Sequence, residues 1–158
     1  MPAGTKKVNQ EIIKRLNDQE EVNVVYQLMD ELNRAYHPEL VEAKIALAWL
    51  YDVKPDRDGH MTLGWARKES DLHRQLHGYD IIIGLNYDWW HDNQVSDSQR
   101  KALLDHELCH VKPVVDDDGS VRLDDLGNTV WYIRKHDLEE FGEVVRRHGM
   151  YKQNLETF

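Results

Sequence analysis

The segment His106-Glu107-Leu108-Cys109-His110 constrains this chain more than any other, because its chemistry works only on a helix. At about 3.6 residues per turn, positions i and i+4 stand one above the other on one face. Two imidazoles so placed can reach a single metal ion, and zinc takes nitrogen ligands at about 2.0–2.1 Å in tetrahedral geometry. Glu107 is offset from that face yet close to the open coordination position, where a carboxylate can take a proton from a metal-activated water. The segment therefore demands a helix, and a third protein ligand from elsewhere, since catalytic zinc sites use three plus water.

The flanking residues supply that helix. Ser96 and Gln99 have the spacing of a capping box. Ala102, Leu103, Leu104, Leu108 and Val111 give the helix apolar surface, and Pro113 ends it. Upstream, Val22, Val25, Leu28, Met29 and Leu32 form one apolar stripe and predict a helix over residues 20–34. Residues 43–51 (AKIALAWLY) and the Met61-Thr62-Leu63-Gly64-Trp65 stretch read as two strands. The turn-like Lys54-Pro55-Asp56-Arg57-Asp58-Gly59 between them suggests that they pair as a hairpin. Residues 79–85 form the clearest strand, β-branched enough for burial on both faces. Asp116-Asp117-Asp118-Gly119 reads as a turn between short strands, and residues 136–148 as a last helix stopped by Gly149. No internal repeat is evident. The order of elements predicts an α+β fold, with a small, mostly antiparallel sheet packed against the metal helix and a closing C-terminal helix.

The start of that last helix is the natural source of the third ligand, because its first turn can be aimed at the metal. His136 is the preferred candidate and Glu139 or Glu140 the alternative, which would make the site His₂Glu rather than His₃. Asp105, Asp137, Glu139 and Glu140 are candidates to orient ligand imidazoles. Tyr132 is a candidate hydrogen-bond donor to a tetrahedral oxyanion, against an ordinary packed aromatic. Cys109 reads as a packing residue rather than a ligand. The Asp116–Asp118 turn lacks the spaced ligand set of a calcium loop. Trp89 and Trp90 read as partly core, and His73 and His77, four apart with no glutamate between them, as a solvated helix face.

Charge narrows the partners. Lys plus Arg is 20 and Asp plus Glu is 29, a formal charge of -9, which disfavours a phosphate backbone as ligand. One cysteine excludes an intrachain disulfide and a zinc ribbon, and fits a reducing compartment. Neither a signal peptide nor a membrane span is visible, so a cytoplasmic protein is expected, in the host cytoplasm if phage-encoded. Residues 1–19 read as a polar arm or short helix ahead of a single domain over residues 20–158.

HELCH followed by His136-Asp137-Leu138-Glu139-Glu140-Phe141 and Arg147-His148-Gly149 resembles the putative phage metallopeptidase family. The resemblance spans residues 43–149 and is concentrated in the two histidine-bearing segments. More distantly the chain is similar to SprT-type zincins, whose third ligand is a histidine beginning a helix, which favours His136. The resemblance implies a zincin-like domain that hydrolyses protein or peptide substrates, with zinc on His106, His110 and His136 and Glu107 as general base. The rival expectation is a phage-type zinc-binding protein that binds a host protein without cutting it.

Overall fold

A computed structural model describes residues 19–135 and 142–148. The elements run α1 (Gln19–Tyr36), a 3-10 turn (Pro38–Leu40), β1 (Ile45–Leu50), β2 (Gly64–Lys68), α2 (Asp71–His77), β3 (Ile81–Asn86), α3 (Tyr87–Trp90), α4 (Asp97–Cys109), β4 (Val111–Pro113), β5 (Trp131–Ile133) and α5 (Gly142–His148). This is the expected α+β class, compatible with a zincin-like fold.

The sheet departs from the expected hairpin. Its order is β1-β3-β2, with β1 parallel to β3 and β2 antiparallel to it, so β1 and β2 never pair. The physical reason is the apolar content of β3. Ile81-Ile82-Ile83-Gly84-Leu85-Asn86 is buried at every position and takes the centre, where both faces and both edges are covered. The sheet is therefore mixed rather than mostly antiparallel.

One face carries the main core. Ile45, Leu47 and Trp49 with Ile81, Ile83 and Leu85 pack in one cluster with Val25, Met29 and Leu32 of α1 and Leu103, Leu104 and Leu108 of α4. Ala46, Ala48 and Ile82 pack on the other face with Trp65 and Tyr79, and the Arg67 guanidinium lies 4.5 Å from the centre of the Trp65 ring. On β1, the Leu47 N–H donates to the Tyr26 hydroxyl at 2.9 Å, so α1 supplies the sheet with a polar partner as well as apolar surface.

α4 begins as its sequence requires. Ser96 accepts from the Gln99 N–H at 3.1 Å and Gln99 accepts from the Ser96 N–H at 2.8 Å, a reciprocal capping box. The helix closes at Cys109, with His110 as C-cap still in right-handed helical conformation and Val111–Pro113 already a strand. From residue 102 to 109 every side chain is buried, including Asp105, His106 and Glu107. Buried charge is costly unless it is paired or put to use.

Between β4 and β5, where no repeat is evident in the sequence, the structure contains a short one. Residues 115–122 (VDDDGSVR) and 123–130 (LDDLGNTV) each form a hairpin, bridged Val115 to Val121 and Leu123 to Thr129. In both turns the Asp N–H donates to the carbonyl four residues on, and the glycine N–H donates back to the Asp carbonyl. Gly119 and Gly127 have φ of 88° and 82°, which a side chain would strain. The period closes a ring of backbone bonds: Val114 N–H to Val130 O, Val130 N–H to Arg122 O, and Arg122 N–H to Val114 O.

The described part of the last helix is Gly142–His148, so residues 136–141 and Gly149 lie outside the described residues, as do residues 1–18.

Candidate metal centre

The i and i+4 spacing brings the His106 and His110 rings to 5.1 Å between centres, at 74° to one another. Ligand atoms of His106, Glu107 and His110 all lie within 4.8 Å of each other, and His106 Nε2 is 3.5 Å from Glu107 Oε1. His106 is 3% exposed and Glu107 2%, so a carboxylate stands beside two imidazoles in a setting that excludes most water.

The structure also decides which nitrogen His110 offers. Its Nδ1 is 2.7 Å from the Arg134 carbonyl oxygen, a partner that can only accept, so Nδ1 carries a proton and in the neutral ring Nε2 is the nitrogen with the lone pair. A neutral imidazole with its far nitrogen so oriented is what a zinc ligand must be. Arg134 holds this corner twice more: its N–H donates to the His110 carbonyl at 2.8 Å and its Nε–H to the Cys109 carbonyl at 2.6 Å. Those carbonyls end the metal helix, where a cation is favoured. Arg134 carried no sequence signal, because two of its three bonds are made by its backbone.

Glu107 is positioned against the sheet at Gly64. A Cβ built there would stand 2.8 Å from the Gly84 oxygen, 3.4 Å from Glu107 Cγ and 3.5 Å from Glu107 Cδ. The clash is with the Gly84 backbone, so the first residue of β2 must lack a side chain if β2 is to pair with β3 as it does, and Glu107 then lies at ordinary contact distance from that position.

A second buried group surrounds Asp105 on the same helix. Its carboxylate receives His37 Nε2 at 2.5 Å, Arg147 Nη1 at 2.7 and 2.9 Å, and His148 Nε2 at 2.9 Å. Burial pushes this carboxyl up, but the bonds from His37, Arg147 and His148 outweigh it and hold the group at about 2. Cys109 Sγ is 4.0 Å from His37 Nε2 and 3.9 Å from Asp105 Oδ1. These contacts belong to a hydrogen-bonded cluster, not to a shared ion. Two ligand atoms on one tetrahedral zinc stand about 3.3 Å apart, well beyond the 2.5 Å between His37 and Asp105. The exposed Asp56, Asp58 and His60 form a third acidic group, explained by a turn in which Asp56 Oδ1 accepts from the Asp58 and His60 N–H groups.

Three of the expected site residues, His106, Glu107 and His110, are thus together. His136, with Glu139 and Glu140 as its alternatives, and Asp137 lie outside the described residues. Tyr132 sits on β5 opposite Lys112 and is 45% exposed. Cys109 is fully buried beside Asp105. Trp90 packs in the core against Trp49, and His73 and His77 stand on the largely exposed α2, near Glu69. His37 and His148, neither of which the sequence marked as a partner of Asp105, meet on it.

A buried helix of this α+β domain thus presents two imidazoles and a carboxylate close enough together that they could hold a metal ion. Residues 14–158 match the family described as Putative phage metallopeptidase, and the chain belongs to that family. No curated protein and no solved structure matches it. A metallopeptidase family implies a metal ion and protein or peptide substrates. Among the described residues no helix is long and apolar enough to cross a membrane.

Proposed function

We propose that the chain is a zinc-dependent metallopeptidase whose ion is held by His106, His110 and His136, with Glu107 as general base. We take residues 20–158 as its single domain. The observation that carries the reading is the meeting of His106, Glu107 and His110 within 4.8 Å, with His110 locked in the tautomer a ligand needs. The donor set, imidazole nitrogens with a neighbouring carboxylate, suits zinc.

When bound, the zinc acts as a Lewis acid and lowers the pKa of a water toward about 7. Glu107 then receives the proton of the attacking water as its oxygen adds to the substrate carbonyl, and passes that proton to the departing amine. Burial of Glu107 beside the start of β2 limits the orientations open to its carboxylate before the transfer. The Arg134 carbonyl holds the His110 ring while charge develops beside it.

Glu107→Gln tests the reading. It keeps shape and ligands and removes the base. Hydrolysis of a verified peptide substrate should fall by about a hundredfold or more with zinc content unchanged. A folded, zinc-loaded Glu107→Gln protein with undiminished hydrolysis would overturn the assignment.

A further inference from the structure

The double hairpin between β4 and β5 leaves apolar side chains in solvent. Val115 is 54% exposed, Val121 44% and Leu123 59%, although all three take part in backbone bridges. Val115 and Val121 face each other across one bridge, and Val121 and Leu123, two apart, share a side by strand alternation. The ring of backbone bonds through Val114, Arg122 and Val130 fixes this arrangement in advance, so docking onto it costs little further ordering.

The same module is strongly acidic. Residues 115–130 hold five aspartates against one arginine, Arg122, which Asp116 engages at 2.7 Å. The second hairpin also walls a cavity of about 420 Å³ against α2 and the chain entering β1. Five carboxylates line it against Lys44 and Arg74. Arg74 is already held by Asp80 at 2.9 Å and approached by Asp71 and Asp124 at 3.5 and 3.6 Å. A cation brought by a partner would therefore meet unbalanced negative charge.

The module grows from strands that frame the metal centre. Val111 of β4 directly follows His110, and its partner Ile133 of β5 directly precedes Arg134, whose carbonyl holds the His110 ring. A protein held on the hairpins is thus held on the strand pair beside the metal helix.

We propose that the exposed face of the double hairpin, with the adjoining cavity, docks a lysine- or arginine-bearing apolar segment of the protein substrate. This rests on the peptidase reading above. Charge decides the occupant. A second copy of the chain would set the same aspartates against one another, and a nucleic acid or an anionic lipid surface would be repelled. A basic segment with apolar residues satisfies both the exposed side chains and the carboxylates.

The test is fluorescence anisotropy on the full chain with short fluorescein-labelled peptides of three compositions: lysine with leucine, glutamate with leucine, and lysine with serine. The first should bind, and the other two about tenfold more weakly or worse. Val121→Ser with Leu123→Ser, and separately Asp117→Asn with Asp125→Asn, should each weaken the first probe about tenfold or more. The effect of the aspartate pair should shrink as salt is raised. Val24→Ser with Asp30→Asn, the same chemistry exposed on α1, is the control and should leave binding unchanged. With a verified basic protein substrate, both docking pairs should raise KM. No binding of the lysine–leucine probe, equal binding of all three, or wild-type binding in either docking pair overturns the docking surface and leaves the peptidase reading standing. Self-association of the wild type that light scattering finds abolished in Val121→Ser with Leu123→Ser overturns it as well. Probe binding that maps to the hairpins in a zinc-loaded chain that cuts no peptide retains the surface and overturns the peptidase reading.

Discussion

Gly64 lies against Glu107 with room for a methyl on that side but none on the other: a Cβ there would stand 3.4 Å from Glu107 Cγ, an ordinary contact, and only 2.8 Å from the Gly84 oxygen. This clash is with backbone and cannot relax without moving β2 against β3, so the strain of a larger residue falls on their pairing and reaches the glutamate only through the shifted strand. Gly64→Ala is expected to cost about 1–3 kcal/mol of stability. In protein that remains folded, hydrolysis should fall by about tenfold or more, because the base is displaced by a fraction of an ångström. Zinc content should stay at the wild-type level. Denaturant unfolding with metal analysis checks this, and wild-type stability and rate in Gly64→Ala would show that the contact constrains neither.

Asp105 makes stability depend on acidity in a definite direction. Its carboxyl titrates near 3.8 when unfolded and about 2 when folded, so the unfolded chain binds the proton first as pH falls. The stabilisation is fully present above about pH 4 and is lost as pH falls toward about 2. A depression of this size corresponds to about 2 kcal/mol. Metal-free wild type and Asp105→Asn, compared by urea unfolding at about pH 5 and about pH 2.5, should differ by about 2 kcal/mol less at the lower pH. A gap that does not narrow would mean that the ionised carboxylate is not what the cluster stabilises.

The capping box gives a change that should leave the site untouched. Ser96 lies ten positions before His106, and its hydroxyl serves only the first turn of the metal helix. Ser96→Ala is expected to lose about 1 kcal/mol in denaturant unfolding and to retain wild-type zinc content. Loss of zinc in this variant would place the start of α4 in the metal centre, contrary to the geometry above.

Much of this was legible in the sequence where the cause was local. The capping box, the helix through HELCH and the meeting of His106, Glu107 and His110 all follow from spacings of three or four residues. The β1–β2 hairpin was misjudged because a turn signal at Asp56 to Gly59 says that the chain reverses, not which strand it returns to. The more apolar β3 took the central place. The eight-residue repeat was hidden because only Asp, Asp and Gly recur identically between its halves, and its effect is a ring of backbone bonds. Asp105 stood out in the sequence only as a candidate to orient a ligand imidazole, and its actual partners were not legible: they lie 68, 42 and 43 positions away. Such a group is assembled by the packing of three helical segments, and no periodicity announces it.

The central claim is that His106 and His110 hold a catalytic zinc beside Glu107, and elemental analysis of purified protein tests it most directly. Wild type should contain about one zinc per chain, His106→Ala and His110→Ala should lose it, and Glu107→Gln should keep it. Wild-type protein without stoichiometric metal, even after zinc is supplied at neutral pH, would contradict the account.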